Sequence, residues 1–155
     1  MRNDYCSEGA CFTVPLMGDA LAWGIVARAA KDILFGYFFE PPLSGDREAQ
    51  IDGLTPKTAI LAARFSAMGL ISGEWKVIGQ IQKWNRSLWP LPDFVRYDPL
   101  GIIKPRLIRY LEDDLATSED LGVATKPDNL LRDSLFSSGA VEITLAKILG
   151  CDSEH

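Results

Sequence analysis

Five carboxylates crowd one short stretch late in the chain: Glu112, Asp113 and Asp114 in succession, then Glu119 and Asp120. Two carboxylates at short range perturb each other's ionisation, so such a group is a candidate for acid–base work or for a hard cation. Consecutive residues point in different directions, however, and a solvated acidic loop that meets a basic protein surface is the simpler reading. Nucleophilic chemistry has little to draw on. The single histidine is His155, the final residue given, where fraying denies a Ser or Cys nucleophile a fixed base.

Cys6, Cys11 and Cys151 are odd in number and irregular in spacing, which fits neither a disulfide framework nor a four-ligand zinc site. They read as reduced thiols, with Cys11 a small core residue at the head of a strand and the other two incidental. Lys104, Arg106 and Arg109 are the residue types that contact phosphate. Three cations followed directly by three acids make a poor nucleic-acid track, so intramolecular ion pairing is expected instead. The net charge of −5 also argues against nucleic acid as a direct partner. No catalytic residue, metal or cofactor is assigned.

The four tryptophans are the other informative set, because a buried indole is core and an exposed one is an interface anchor. Trp23 and Trp75 fall inside predicted strands and are expected in the core. Trp84 and Trp89 fall in an irregular, proline-rich connection through Pro90, Pro92, Phe94 and Tyr97, and are candidates to reach a partner. The candidate partner-binding residues are therefore Trp84, Trp89, Glu112, Asp113, Asp114, Glu119 and Asp120.

The elements that must position them are mostly strands. An apolar run ending at Pro15-Leu16, a Met17-Gly18-Asp19 turn, a second run around Trp23-Gly24 and a third from Ile33 to Phe39 predict a strand meander. Pro41 to Arg47 is a loop by composition. Thr58–Phe65 reads as a strand, with a helix as the competing assignment because of its alanines. Gly73–Gly79 (GEWKVIG) predicts a half-buried strand with Trp75, Val77 and Gly79 on one face. Lys104–Leu111 predicts one more strand, followed by a polar stretch to Asn129. Near-C-terminal Val141, Thr144, Leu145, Ile148 and Leu149 fall at helical spacing, with Ser137 or Ser138 as cap and Gly150 as stop. The length of 155 residues with 47% hydrophobic content suits one domain over 1–155, its core at about 9–150. No apolar stretch reaches the length of a membrane span, and the N-terminus lacks the apolar centre of a signal peptide, so a cytoplasmic protein with no membrane partner is expected.

Phe12–Leu16, Gly18-Asp19, Ala22–Val26, the Gly73–Gly79 strand and Pro90–Phe94, in that order, resemble the immunity protein 26 family of bacterial polymorphic toxin systems. The resemblance spans roughly Gly9 to Leu111. Family members often carry Arg after the aromatic-Gly step; Ile25 stands there in this chain, so no exposed functional residue is carried over to that position. The resemblance implies a cytoplasmic, non-catalytic protein that binds and neutralises a cognate toxin by stoichiometric protein–protein contact. If that toxin is a basic nuclease, the acidic residues would stand in for phosphate. The rival from the residues alone is a small-ligand or nucleotide-binding β-barrel-like domain with a sheet concavity lined by Trp and Phe. The expected fold is β-rich α+β: a twisted antiparallel sheet or half-barrel with a C-terminal helix packed on one face.

Overall fold

Apolar residues on both faces of a strand require cover on both sides, and the meander is built that way. In the computed structural model, which describes residues 7–151, β1 (Ala10–Pro15), β2 (Leu21–Ala30) and β3 (Ile33–Phe39) pair antiparallel in sequence order. Almost every residue from Ala22 to Arg28 and from Leu34 to Phe39 is buried. Gly24 sits within β2, where a Cβ would run into the Phe12 ring on the neighbouring strand. The aromatic-Gly step is thus a packing device: glycine leaves the room that a large ring on the adjacent strand fills.

β4 (Leu61–Ser66) extends the meander beyond β3, after a single 3-10 turn at Pro56–Thr58. The Thr58–Phe65 segment is therefore a strand that begins three residues later than the sequence suggests, because Pro56 starts the turn. On the other flank, β5 (Lys76–Gln80) pairs with β1. A register shift between Cys11 and Phe12, opposite Gly79 and Val77, leaves Ile78 unpaired. This bulge breaks the expected alternation. Trp75 precedes the strand and is 1% exposed, whereas Val77 is 46% exposed. Gly73 is not the strand's entry but the left-handed cap (φ 85°) of a short helix, α2 (Met68–Ser72), a conformation that favours glycine. A further short helix, α1 (Arg47–Asp52), follows the proline loop, with Asp46 accepting from the Ala49 N–H as its N-cap.

A second, four-stranded sheet covers one face of the first. It contains β6 (Phe94–Arg96), β7 (Arg106–Leu111), β8 (Asp114–Val123) and β9 (Leu131–Arg132) in the order β8-β7-β6-β9. Two sequence expectations are corrected here. The proline-rich connection ends at Pro92 and gives way to an interior strand, and the polar stretch after Leu111 is a long hairpin partner for β7. β8 was hidden because it is an edge strand with its outer face in solvent, so few of its residues are apolar. β10 (Leu135–Phe136) closes the first sheet in the order β10-β4-β3-β2-β1-β5. β10–β4 and β6–β9 are parallel pairs, so both sheets are mixed. Neither sheet closes into a barrel.

The C-terminal helix α3 (Ser138–Leu149) lies on the opposite face of the first sheet. Ser137 accepts from the Ala140 N–H and Gly150 adopts φ 74°, as the start and stop signals require. Val141 and Leu145 are fully buried against Phe12, Phe38, Phe65 and Trp75, each contributing about 1.5–3 kcal/mol of burial. Ile148 stays largely exposed. Three layers result, helix, sheet and sheet, with one apolar cluster in each gap. Among the described residues, no helix is long and apolar enough to cross a membrane.

Candidate partner-binding site

Two arginines bridge the gap between the sheets, and they explain where the acidic residues stand. A register shift in β2 between Val26 and Arg28 accompanies Arg28 facing the second sheet, where it is 3% exposed. Its guanidinium donates to the carbonyls of Ala27 (2.6 Å) and Trp89 (2.9 Å) and to the carboxylate of Glu112 at the β7–β8 turn. Arg64 on β4 is 7% exposed and donates to Leu115 O (3.0 Å), the Tyr110 hydroxyl (2.9 Å) and Asp133 (3.3 Å). Both act as polar pins between the layers, although the buried Nε of Arg64 has no hydrogen-bond partner among the described residues.

Beside the Arg28 pin, Arg86 bonds both Glu8 and Asp113, the latter at 2.8 Å. Glu8 also accepts from the Trp84 indole N–H at 3.1 Å. Burial pushes the Glu8 carboxyl up, but its bonds from Arg86 and Trp84 overcome this and hold it below the ordinary carboxylate value. Trp84 stacks on Trp89 with ring centroids 5.7 Å apart. The fold thus gathers Trp84, Trp89, Glu112 and Asp113 into one cluster, although the sequence separates them by more than twenty positions. Glu8, Arg28 and Arg86 complete it. Of these three, only Arg28 carried a visible signal, as a lone charge inside an otherwise apolar strand.

The placements differ in exposure. Trp89 is 4% exposed and braces the cluster from within, packed edge-on against Tyr37 and Phe39. Trp84 is half-buried. Leu88, between them in sequence, is 64% exposed and presents the apolar surface of this connection. Trp23 and Trp75 are core, as expected. The side chain of Asp113 is 81% exposed and that of Glu112 52%.

The remaining acids run along β8. Asp114 accepts from the Thr117 hydroxyl (2.6 Å) and the Ala116 N–H, which hold its carboxyl below the usual range. Asp120 is ion-paired to Arg106 at 3.0 Å, and that pairing keeps its carboxyl low. Glu119 lies exposed, opposite Arg109 in the hairpin register. The acidic stretch is thus a partnered hairpin rather than a loop of free charge. Arg109 pairs with Asp93 at 2.8 Å, so both arginines are engaged within the chain, as the sequence suggests. They do not share a face, because an interval of three residues reverses the side chain in a strand.

Chemically, the described residues offer little for catalysis. Cys11 is fully buried, and burial pushes its thiol up to about 12, away from the thiolate that a nucleophile needs. No group of three or more His, Cys, Asp or Glu gathers to hold a metal ion among the described residues. Cys6 and His155 lie outside the described residues. A sheet concavity lined by Trp and Phe is also not where the rival reading needs it, since those rings fill the two interlayer clusters. One open groove of about 540 Å³ runs past Leu54, Ile81, Leu88 and Trp89, with Lys57 and Lys83 at its rim.

No curated protein and no solved structure matches this chain. The profile of the family described as Immunity protein 26 matches residues 7–104, from the start of the meander to the loop before β7. That span is more than half of the sequence and contains β1 to β6, and so this chain belongs to the Immunity protein 26 family.

Proposed function

We propose that this protein neutralises a cognate bacterial toxin by stoichiometric binding in the cytoplasm, without catalysis of its own. The single observation that carries this reading is family membership over residues 7–104. The described core is compatible with it: burial pushes the Cys11 thiol up, away from the thiolate that a nucleophile needs.

The partner surface we assign is the β7–β8 hairpin with the Trp84–Trp89 connection. Glu112, Asp113, Asp114, Glu119 and Asp120 supply negative charge that steers a basic domain, such as a nuclease, into register. Trp84 and Leu88 supply apolar area next to that charge, and Trp89 holds both in place from beneath. Tightness would come from a few desolvated apolar contacts, with the acids governing the rate of association.

The test is co-expression with the toxin domain encoded by the adjoining gene. Growth rescue together with a 1:1 complex in solution is the expected result. Rescue without any complex would point to enzymatic detoxification, and an adjoining metabolic operon with no toxin gene would favour a small-ligand role.

A further inference from the structure

Two connections line the groove of about 540 Å³ beside Trp89, one over residues 52–57 after α1 and the other over residues 81–90 after β5. Buried Ile81 and Trp89 form its base, and Leu54, Leu88, Pro56 and Pro90 form its sides. The prolines bring no N–H group to it, so the surface they present is apolar. The volume falls in the range of roughly 300–1,000 Å³ typical of small-molecule sites, which are concave, mainly apolar and marked by a few polar groups. The groove is also tied in place. The Asp52 carboxylate on one connection accepts from the Gln82 N–H on the other (2.9 Å), the Ile81 N–H donates to the Gly9 carbonyl (2.9 Å), and the Tyr37 hydroxyl donates to the Pro90 carbonyl (2.5 Å). Little ordering remains to oppose an occupant.

The polar groups at the groove differ in how far the fold has already used them. Asp52 is committed to Gln82, and the Asn85 side-chain oxygen accepts from the Ser87 N–H (3.1 Å) and hydroxyl (2.7 Å). Lys57 and Lys83, one on each connection, are exposed, and neither ammonium has an ion pair or hydrogen bond among the described residues. By contrast Arg28, Arg64, Arg86, Arg96, Arg106 and Arg109 are all ion-paired within the chain. The uncommitted charge at this apolar groove is therefore positive. Lys83 also holds φ 54°, a left-handed conformation in which glycine or asparagine is at ease and lysine is uncommon. Backbone ease does not account for lysine at that position, whereas a charge over the groove does.

We propose that this groove is a binding site for a small amphipathic anion, with an aromatic or branched aliphatic body on the Ile81–Trp89 base and a single carboxylate-type group at Lys57 and Lys83. A nucleotide or other polyphosphate would call for more cations and for a cradle of backbone N–H groups. A metal cation would meet two ammonium groups, and a neutral apolar molecule would leave both of them unused. The site does not depend on the toxin-binding reading, although Leu88 and Trp89 belong to both surfaces.

The experiment titrates the isotope-labelled full chain with naphthoate and with its uncharged isostere naphthamide, reading amide and indole chemical shifts. Shifts should gather on residues 54–57 and 81–90 and on the Trp89 indole, with naphthamide bound about 3–10-fold more weakly. That preference should shrink as salt is added. A combined Lys57→Gln, Lys83→Gln variant changes only exposed side chains, so its urea midpoint should match the parent, and it should bind the two probes equally. Leu88→Ser should weaken both probes alike, by about 2–5-fold. If the parent binds naphthoate and naphthamide equally, or if the double lysine variant keeps the preference, the anionic assignment falls. Shifts centred on another part of the surface, or no saturable shift in the millimolar range, would remove the site altogether.

Discussion

Replacing Glu112 by Gln and, separately, Asp113 by Asn divides the acidic turn into a structural and a steering half. The two residues are adjacent, yet Glu112 answers a buried cation and Asp113 an exposed one. Removing the charge opposite a fully buried guanidinium costs about 3–5 kcal/mol. Glu112 is half exposed, so solvent already screens part of that attraction, and Arg28 keeps its bonds to the Ala27 and Trp89 carbonyls. A loss of about 1–2 kcal/mol is expected for Glu112→Gln. Asp113 is exposed and Arg86 retains Glu8, so Asp113→Asn should cost under about 0.5 kcal/mol. Its effect should fall on the partner instead, with association about 2–5-fold slower at low salt and a shallower salt dependence. Urea denaturation at pH 7 and a stopped-flow salt series read the two quantities independently. A Glu112→Gln protein as stable as the parent would refute the pin between the sheets. An Asp113→Asn protein destabilised by more than about 1 kcal/mol would show that both acids are structural and that steering lies elsewhere on the hairpin.

Other substitutions probe the core and the thiols. Trp75 is 1% exposed, stacked on Phe12 at 5.6 Å and bonded through its indole N–H to Glu142 at 2.9 Å. Trp75→Ala should cost about 3–5 kcal/mol, and a urea-melt difference below about 1 kcal/mol would show that this cluster does not hold α3 to the sheet. Gly24→Ala, which drives a methyl into the Phe12 ring, should lower stability by about 1–3 kcal/mol, with the loss recovered in part by Phe12→Leu. A variant with Cys6→Ser, Cys11→Ala and Cys151→Ser should bind the toxin like the parent, and loss of binding with the fold intact would reopen thiol chemistry. The Cys11 thiol is raised from 9.0 to about 12 by burial, so the folded state holds its proton longer than the unfolded state. Its contribution is complete below about pH 9 and declines above it, by about 1.4 kcal/mol per pH unit at most. The urea midpoint should therefore fall as the pH rises above about 9, less steeply in Cys11→Ala; equal slopes would remove Cys11 as the cause.

The sequence by itself determined the parts of this protein whose signals are local. The three-strand meander follows from apolar runs punctuated by turn residues, and α3 from its spacing, its serine cap and its glycine stop. The core roles of Trp23 and Cys11 follow from their place in those runs, whereas Trp75 is core although it precedes β5. The order of these segments pointed to the family that the profile match then showed. Only the tertiary structure decided what depends on contacts between distant segments. β6 is three residues long after two prolines, and β8 is polar because one side faces water, so neither announces a strand, and the second sheet stayed invisible. The exposure of Trp89 could not be read locally either. A proline-rich connection looks like surface until another sheet is laid over it. The charges of Glu112 and Asp113 appeared free in sequence because their partners, Arg28 and Arg86, lie 84 and 27 positions away. Hydrophobic periodicity reports how one element meets its immediate cover. It carries no record of which distant arginine answers which acid, since that choice is made by the stacking of two sheets and by a one-residue irregularity in β2.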